Sequence, residues 1–137
     1  MNCVHRCRPA GFGAWCLPIL GLSASNQVIA QNWNSTWAIA VTGPVLPVAT
    51  WVHLVTSYSA TNGIRLWVNG TLIGSSGPFP YGPSTVPNTI IAGSSLGSVG
   101  LCATGNIVHG QFYGRIDELR IYARELNATE VFTLANP

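Results

Sequence analysis

Residues 50–74 read TWVHLVTSYSATNGIRLWVNGTLIG, and the fold follows from how Asn69-Gly70 is read. The pair lies between two apolar runs. Both central residues of a type I′ turn need positive φ, which Asn and Gly tolerate best. A two-residue hairpin is therefore expected between strands at 64–68 and 71–75, with Val68 opposite Thr71 and Trp67 opposite Leu72. Residues 50–58 carry a further strand signal directly upstream.

Outward from this hairpin, strand signals recur around residues 14–17, 27–31, 36–42, 89–93 and 111–122. Short strands at regular spacing, punctuated by Gly and Pro, describe an all-β sandwich or barrel. Two loops interrupt them. Residues 74–88, GSSGPFPYGPSTVPN, hold four prolines and are excluded from a central strand. Residues 94–106, SSLGSVGLCATGN, carry Cys102 in a flexible composition. The one helix signal is terminal. Asn127 can cap it, Glu130 can reach back to the cap's amide, and Leu126 can pack on Val131: a capping box with a hydrophobic staple, running to about Ala135.

With 137 residues the chain is a single domain. Only 7% of residues are charged against 47% hydrophobic, yet no apolar run reaches the ~18 residues of a membrane-spanning helix. The net charge of +2 comes from arginines without a lysine, scattered outside the C-terminal stretch, so no nucleic-acid footprint is present. Sequons at Asn34, Asn69 and Asn127 point to a secretory route and glycosylation, hence an extracellular location. Cys3, Cys7, Cys16 and Cys102 allow three disulfide connectivities. Cys3, His5, Cys7 and Cys16 are also zinc-ligand types, but their spacing fits no common finger, and no metal is expected.

The first 25 residues admit two readings. Arg6 and Arg8, then AWCLPILGL, then Ser23-Ala24-Ser25 imitate a signal peptide with a small-residue cleavage site. Pro18 interrupts that apolar run, and Trp15 to Leu20 also reads as a strand entering a turn at Gly21 to Asn26, which is the expectation adopted. Residues 1–9 fit no element and are expected to form an unstructured or artefactual tail, leaving 10–137 as the domain.

All four acids fall late: Asp117, Glu118, Glu125 and Glu130. Side chains alternate across a strand, so the adjacent Asp117 and Glu118 would point to opposite faces and make no catalytic pair. Apolar parity shifts between Ile116 and Leu119, which suggests a β-bulge turning both acids to the strand edge beside Arg115 and Arg120. Asp117, Glu118 and Glu130 are therefore expected to be structural. His53, in its strand with Trp51, is expected to be packed and hydrogen-bonded, and His109 lies beside Gly110 near a strand start. No nucleophile-elbow or phosphate-loop pattern exists.

The 50–74 stretch, then NTIIAGSS at 88–95, then GQFYGRIDELRIYARELNATEVFTL at 110–134, contain four pieces in order. They are a Trp-x-His strand, a strand ending in Val-Asn-Gly, an Ile-x-Gly strand, and a Gly-x-Ile-Asp-Glu strand before a short helix. This order resembles the laminin-G-like group of the concanavalin A-like lectin/glucanase superfamily. The resemblance implies an antiparallel two-sheet jelly-roll sandwich with a short C-terminal helix. It also implies strands preceding the first one matched, so the domain is expected to be partial. The Glu-x-Asp-x-x-Glu strand of the group's glucanases is absent, and every acid follows residue 116, away from the loops that hold calcium in relatives. No cofactor is expected, and calcium is the one ion the resemblance leaves open. A strand cysteine faces a loop cysteine in some members, which implies a Cys16–Cys102 bridge.

What the resemblance implies functionally is a non-catalytic module, secreted or part of an ectodomain, that binds a glycan or an extracellular protein. A glycoside hydrolase whose acids assemble across strands, and a purely structural spacer, are the alternatives. Candidate contacts are Phe79 and Tyr81 in the proline-rich loop, and Trp33 between Asn32 and Asn34. Aromatic faces stack on sugar rings and amides meet hydroxyls, although aromatics among prolines also pack to stiffen a loop.

Overall fold

The computed structural model describes residues 2–7, 16–81, 89–92, 105–108 and 110–137. Its elements are β1 (Asn2–Cys7), β2 (Cys16–Leu22), β3 (Gln27–Trp33), β4 (Ala38–Val45), β5 (Leu54–Ser59), β6 (Gly63–Val68), β7 (Thr71–Ser75), β8 (Thr89–Ala92) and α1 (Ala128–Ala135). The strands form two antiparallel sheets, one ordered β4-β3-β2-β1-β8 and the other β5-β6-β7. The large sheet meanders from β1 to β4, and β8 returns beside β1.

The hairpin forms as the sequence requires. Asn69 has φ 48° and Gly70 φ 78°, and Val68 pairs with Thr71 and Trp67 with Leu72. At the preceding turn Gly63 has φ 67°, where a Cβ would strike the carbonyl oxygen of Gly77, so only glycine fits there. These two turns set β5, β6 and β7 side by side.

Strand alternation then decides the layers. Ile64 and Leu66 on one face of β6 are buried against Val28, Ala30 and Val41 of the large sheet, and this is the sandwich core. Trp67 on the opposite face is buried against Leu126 and Val131, which brings α1 onto the outside of the small sheet. The helix begins as expected. The Asn127 side chain accepts from the Glu130 N–H, the Glu130 carboxylate accepts from the Asn127 N–H, and Leu126 and Val131 share one cluster. On the far side of the large sheet, buried Gln31 donates to Pro18 O at 2.7 Å and accepts from Asn106 N at 2.9 Å, tying residues 105–108 to β2 and β3.

Two expectations meet a different structure. Residues 2–7, read as belonging to no element, form β1, hydrogen-bonded to β2 on one side and β8 on the other; pairing with two neighbouring strands overrides a weak local pattern. The strand expected at 111–122 does not form. Glu118 takes φ 52°, and its N–H is captured by the Asp117 carboxylate at 2.9 Å, a local bond that competes with a sheet ladder. With no strand there is no bulge. Cys16 lies in β2, opposite Cys7 in register; Cys102, and with it the implied bridge, lies outside the described residues, as do His109 and most of the 82–104 region.

Candidate functional site

Among the described residues β5 is an edge strand, and beyond it the sandwich is open. A cleft of about 1650 Å³ separates β5 and the loop before it from the extended chain at 112–124. Its floor is apolar, reaching Leu20, Leu22 and Val28 between the sheets. The rim is apolar too: Trp51 is 65% exposed, Tyr113 81% and Ile121 68%. Ile116 and Leu119 are likewise exposed along the far wall. That much solvent-facing apolar surface around one concavity marks an interaction surface.

Polar side chains on the lining include His53, Arg115, Asp117, Glu118 and Arg120. Arg120 holds Glu118 at 2.6 Å. His53 lies at the start of β5; its N–H donates to Asn69 Oδ1 at 3.0 Å, while its buried Nδ1 has no partner. Burial, with the Arg120 charge nearby as a lesser cause, pushes its pKa below the usual histidine value, so the imidazole is neutral at pH 7. The expected packing of His53 is present, and the expected hydrogen bond exists at its backbone rather than its ring.

The carboxylates offer little to acid catalysis. Burial raises the Glu125 pKa, but hydrogen bonds from Asn62, Ser59 and Ser57 and the Arg65 charge outweigh it, and the net shift is downward. Glu130 is held at about 2 by Arg124 and the Asn127 N–H. A general acid at neutral pH needs the opposite shift. Asp117 and Glu118 are exposed neighbours in an irregular segment. Among the described residues no three His, Cys, Asp or Glu side chains gather as a metal site.

Residues 13–132 match the laminin-G-like family described as the concanavalin A-like lectin/glucanases superfamily. The chain belongs to that superfamily. No curated protein matches it. Among solved structures it is similar to an S-layer domain-containing protein from Clostridium thermocellum, with 22% identity and a TM-score of 0.49. That match covers 80% of this chain and 52% of the other, so the chain spans about half the length of that structure.

Within this superfamily scaffold the sequence-read contacts do not converge. Phe79 packs on the sandwich core, its ring 5.2 Å from that of Tyr58 and its carbonyl accepting the Tyr58 hydroxyl at 2.7 Å. Tyr81 stacks on the same Tyr58 at 5.4 Å. Both aromatics thus fasten the start of the proline-rich loop. Asn32 and Asn34 accept backbone N–H groups of Trp33, Thr36 and Trp37, shaping the β3–β4 turn, and Trp33 is half-buried there. None of these five lines the cleft. Of the sequon asparagines, Asn69 and Asn127 are exposed and Asn34 is half-buried.

Glu125 was given no role by the sequence. It accepts from Asn62 Nδ2 at 2.8 Å and Ser57 Oγ at 3.4 Å, and lies 3.5 Å from Arg65. This latch fixes the end of the 112–124 wall to the β5–β6 turn. Its partners are sixty or more residues away in sequence, and no local signal announces it.

Proposed function

We propose that this domain is a non-catalytic binding module, working outside the cell or at its surface, on a scaffold wound as a jelly roll. The ligand it takes in the cleft is a protein segment. One observation carries this reading: the cleft is bounded by an open strand edge and a row of exposed apolar side chains. A glycan presents hydroxyls that need amide, carboxylate or hydroxyl partners, whereas an extended polypeptide offers backbone groups to a strand edge and alternate side chains to an apolar floor. The superfamily includes lectins and glucanases, so both alternatives enter the test. No helix among the described residues is long and apolar enough to cross a membrane.

The test is a titration of the chain with a fluorescent peptide of alternating Val and Thr, against a control with proline at alternate positions, beside a glycan array and a polysaccharide hydrolysis panel. Saturable binding of the first peptide alone, with no hydrolysis, is expected. Glycan binding lost on Trp51→Ala with Tyr113→Ala would reassign the ligand class. Turnover of any polysaccharide would make the domain an enzyme, and silence in every assay would leave a spacer.

A further inference from the structure

Three of the four cysteines lie on two neighbouring strands, and the register treats them differently. β1 and β2 run antiparallel, with Cys7 opposite Cys16, Arg6 opposite Leu17 and His5 opposite Pro18. Cys3 falls at the irregular end of this ladder, where the register shifts on both sides of Val4. It lies four residues from Cys7 along β1, about 13 Å at strand spacing, too far for those two to bond.

Antiparallel pairs alternate between those that exchange backbone hydrogen bonds and those that do not, and the second kind brings the two side chains closer. Pro18 decides the phase. Its carbonyl oxygen accepts from Gln31 Nε2 at 2.7 Å, so it points towards β3, which lies on the opposite side of β2 from β1. The N and C=O of a strand residue point to the same edge, and proline has no N–H to offer β1 in any case. His5 and Pro18 are therefore a non-hydrogen-bonded pair. Two steps along an unshifted register, Cys7 and Cys16 are another. Such pairs set Cα atoms about 4.5 Å apart, inside the span of roughly 4.4–6.8 Å that a disulfide bridges.

We propose that Cys7 and Cys16 form a cross-strand disulfide. The two thiols give up two protons and two electrons as the S–S bond forms; a small-molecule disulfide such as oxidised glutathione takes them up and leaves as two thiols. Outside the cell, the location proposed for this domain, such a bond persists, while the pairing itself rests on the register and not on the cleft. It uses Cys16, and so excludes the Cys16–Cys102 bridge that the family resemblance implies. The consequence reaches beyond one hairpin. β1 carries a weak strand pattern of its own, and among the described residues β8 pairs with β1 alone. A covalent clip on β1 thus holds two strands of the large sheet, and reduction loosens both.

The experiment uses the full chain, equilibrated in glutathione buffers of stepped redox potential, quenched in acid, alkylated and digested without reduction. Chymotrypsin cuts after Phe12, between the two cysteines, so the bridged product keeps two peptides joined. A Cys7–Cys16 link is expected in wild type and in Cys3→Ser with Cys102→Ser. The equilibrium constant for oxidation by glutathione should be at least about tenfold larger in the folded chain than in guanidinium chloride, because the register presets a closure that the unfolded loop must find. Amides of β1 and β8 should exchange at least about tenfold more slowly in the oxidised chain than in the reduced one, with those of β6 changing less. Cys16 found joined to Cys102 or Cys3 overturns the proposal, as do Cys7 and Cys16 alkylated at oxidising potentials. Equal oxidation constants in the folded and unfolded chain overturn it too, as does exchange in β1 and β8 that ignores the redox state.

Discussion

Removing the Glu125 carboxylate should loosen the wall of the cleft and lower stability by an amount the local geometry sets. In Glu125→Ala, the Asn62 amide loses its 2.8 Å acceptor, the Ser57 hydroxyl its 3.4 Å one, and Arg65 its nearest carboxylate. The Glu125 side chain is 18% exposed and Arg65 30%, so water can re-solvate the guanidinium and screens the ion pair to a fraction of a kcal/mol. The Asn62 bond is the larger loss, since a hydrogen bond to a charged group contributes roughly 1.5–3 kcal/mol and part of the freed amide stays wet. The sum is about 1–2 kcal/mol. For a domain of this size that lowers Tm by roughly 3–8 °C.

The pH dependence separates charge from packing. The folded pKa of Glu125 lies below the ordinary glutamate value of 4.5. Its contribution is therefore complete above that unfolded value and is lost as pH falls through the lower folded one. Thermal melts followed by circular dichroism at pH 7 and at stepped acid pH, for wild type, Glu125→Ala and Glu125→Gln, give the answer. The wild-type advantage over both variants should shrink at acid pH, and Glu125→Gln, which keeps one acceptor, should sit between the others at pH 7. An alanine variant that melts with wild type at pH 7, or a gap that holds its full size below both pKa values, would refute the latch.

Four further outcomes follow from the same geometry. Phe79→Ala should cost about 1–3 kcal/mol in urea melts, because the ring is half-buried against Tyr58 and the core, and peptide affinity per folded molecule should be unchanged. Asn127→Ala should cost about 1 kcal/mol by losing the N-cap bond; Glu130→Gln should matter above pH 4.5 and progressively less down to about 2, the window between the unfolded and folded pKa values, as read by Tm against pH. Asp117→Asn with Glu118→Gln should leave Tm nearly unchanged, since both carboxylates face solvent rather than a strand edge; a drop of many degrees in a melting scan would restore the edge reading.

What the sequence revealed and what it hid divide by the distance between interacting groups. Asn69-Gly70 and the Asn127/Glu130 box were legible because the residues that demand the geometry also supply it within four positions. The strands at 27–31, 36–42, 64–68 and 71–75 were legible because alternation or apolar density shows in a short window. Phe79 and Glu125 could not be assigned in that way. An aromatic in a proline-rich loop packs inward or outward according to whether a ring such as Tyr58 waits twenty-one residues upstream. A carboxylate among arginines gives no sign that its closest hydrogen bond lies sixty-three residues away at Asn62. Residues 111–122 are the instructive case, since their composition is that of a strand and the chain still leaves them unpaired. A strand is not a property of a segment but of a segment with an edge, and here the edge at β5 and the segment at Leu119–Ala123 line one cleft without pairing. Propensity without a paired edge leaves Leu119 and Ile121 exposed beside an open strand, and that conflict is where the proposed binding is best sought.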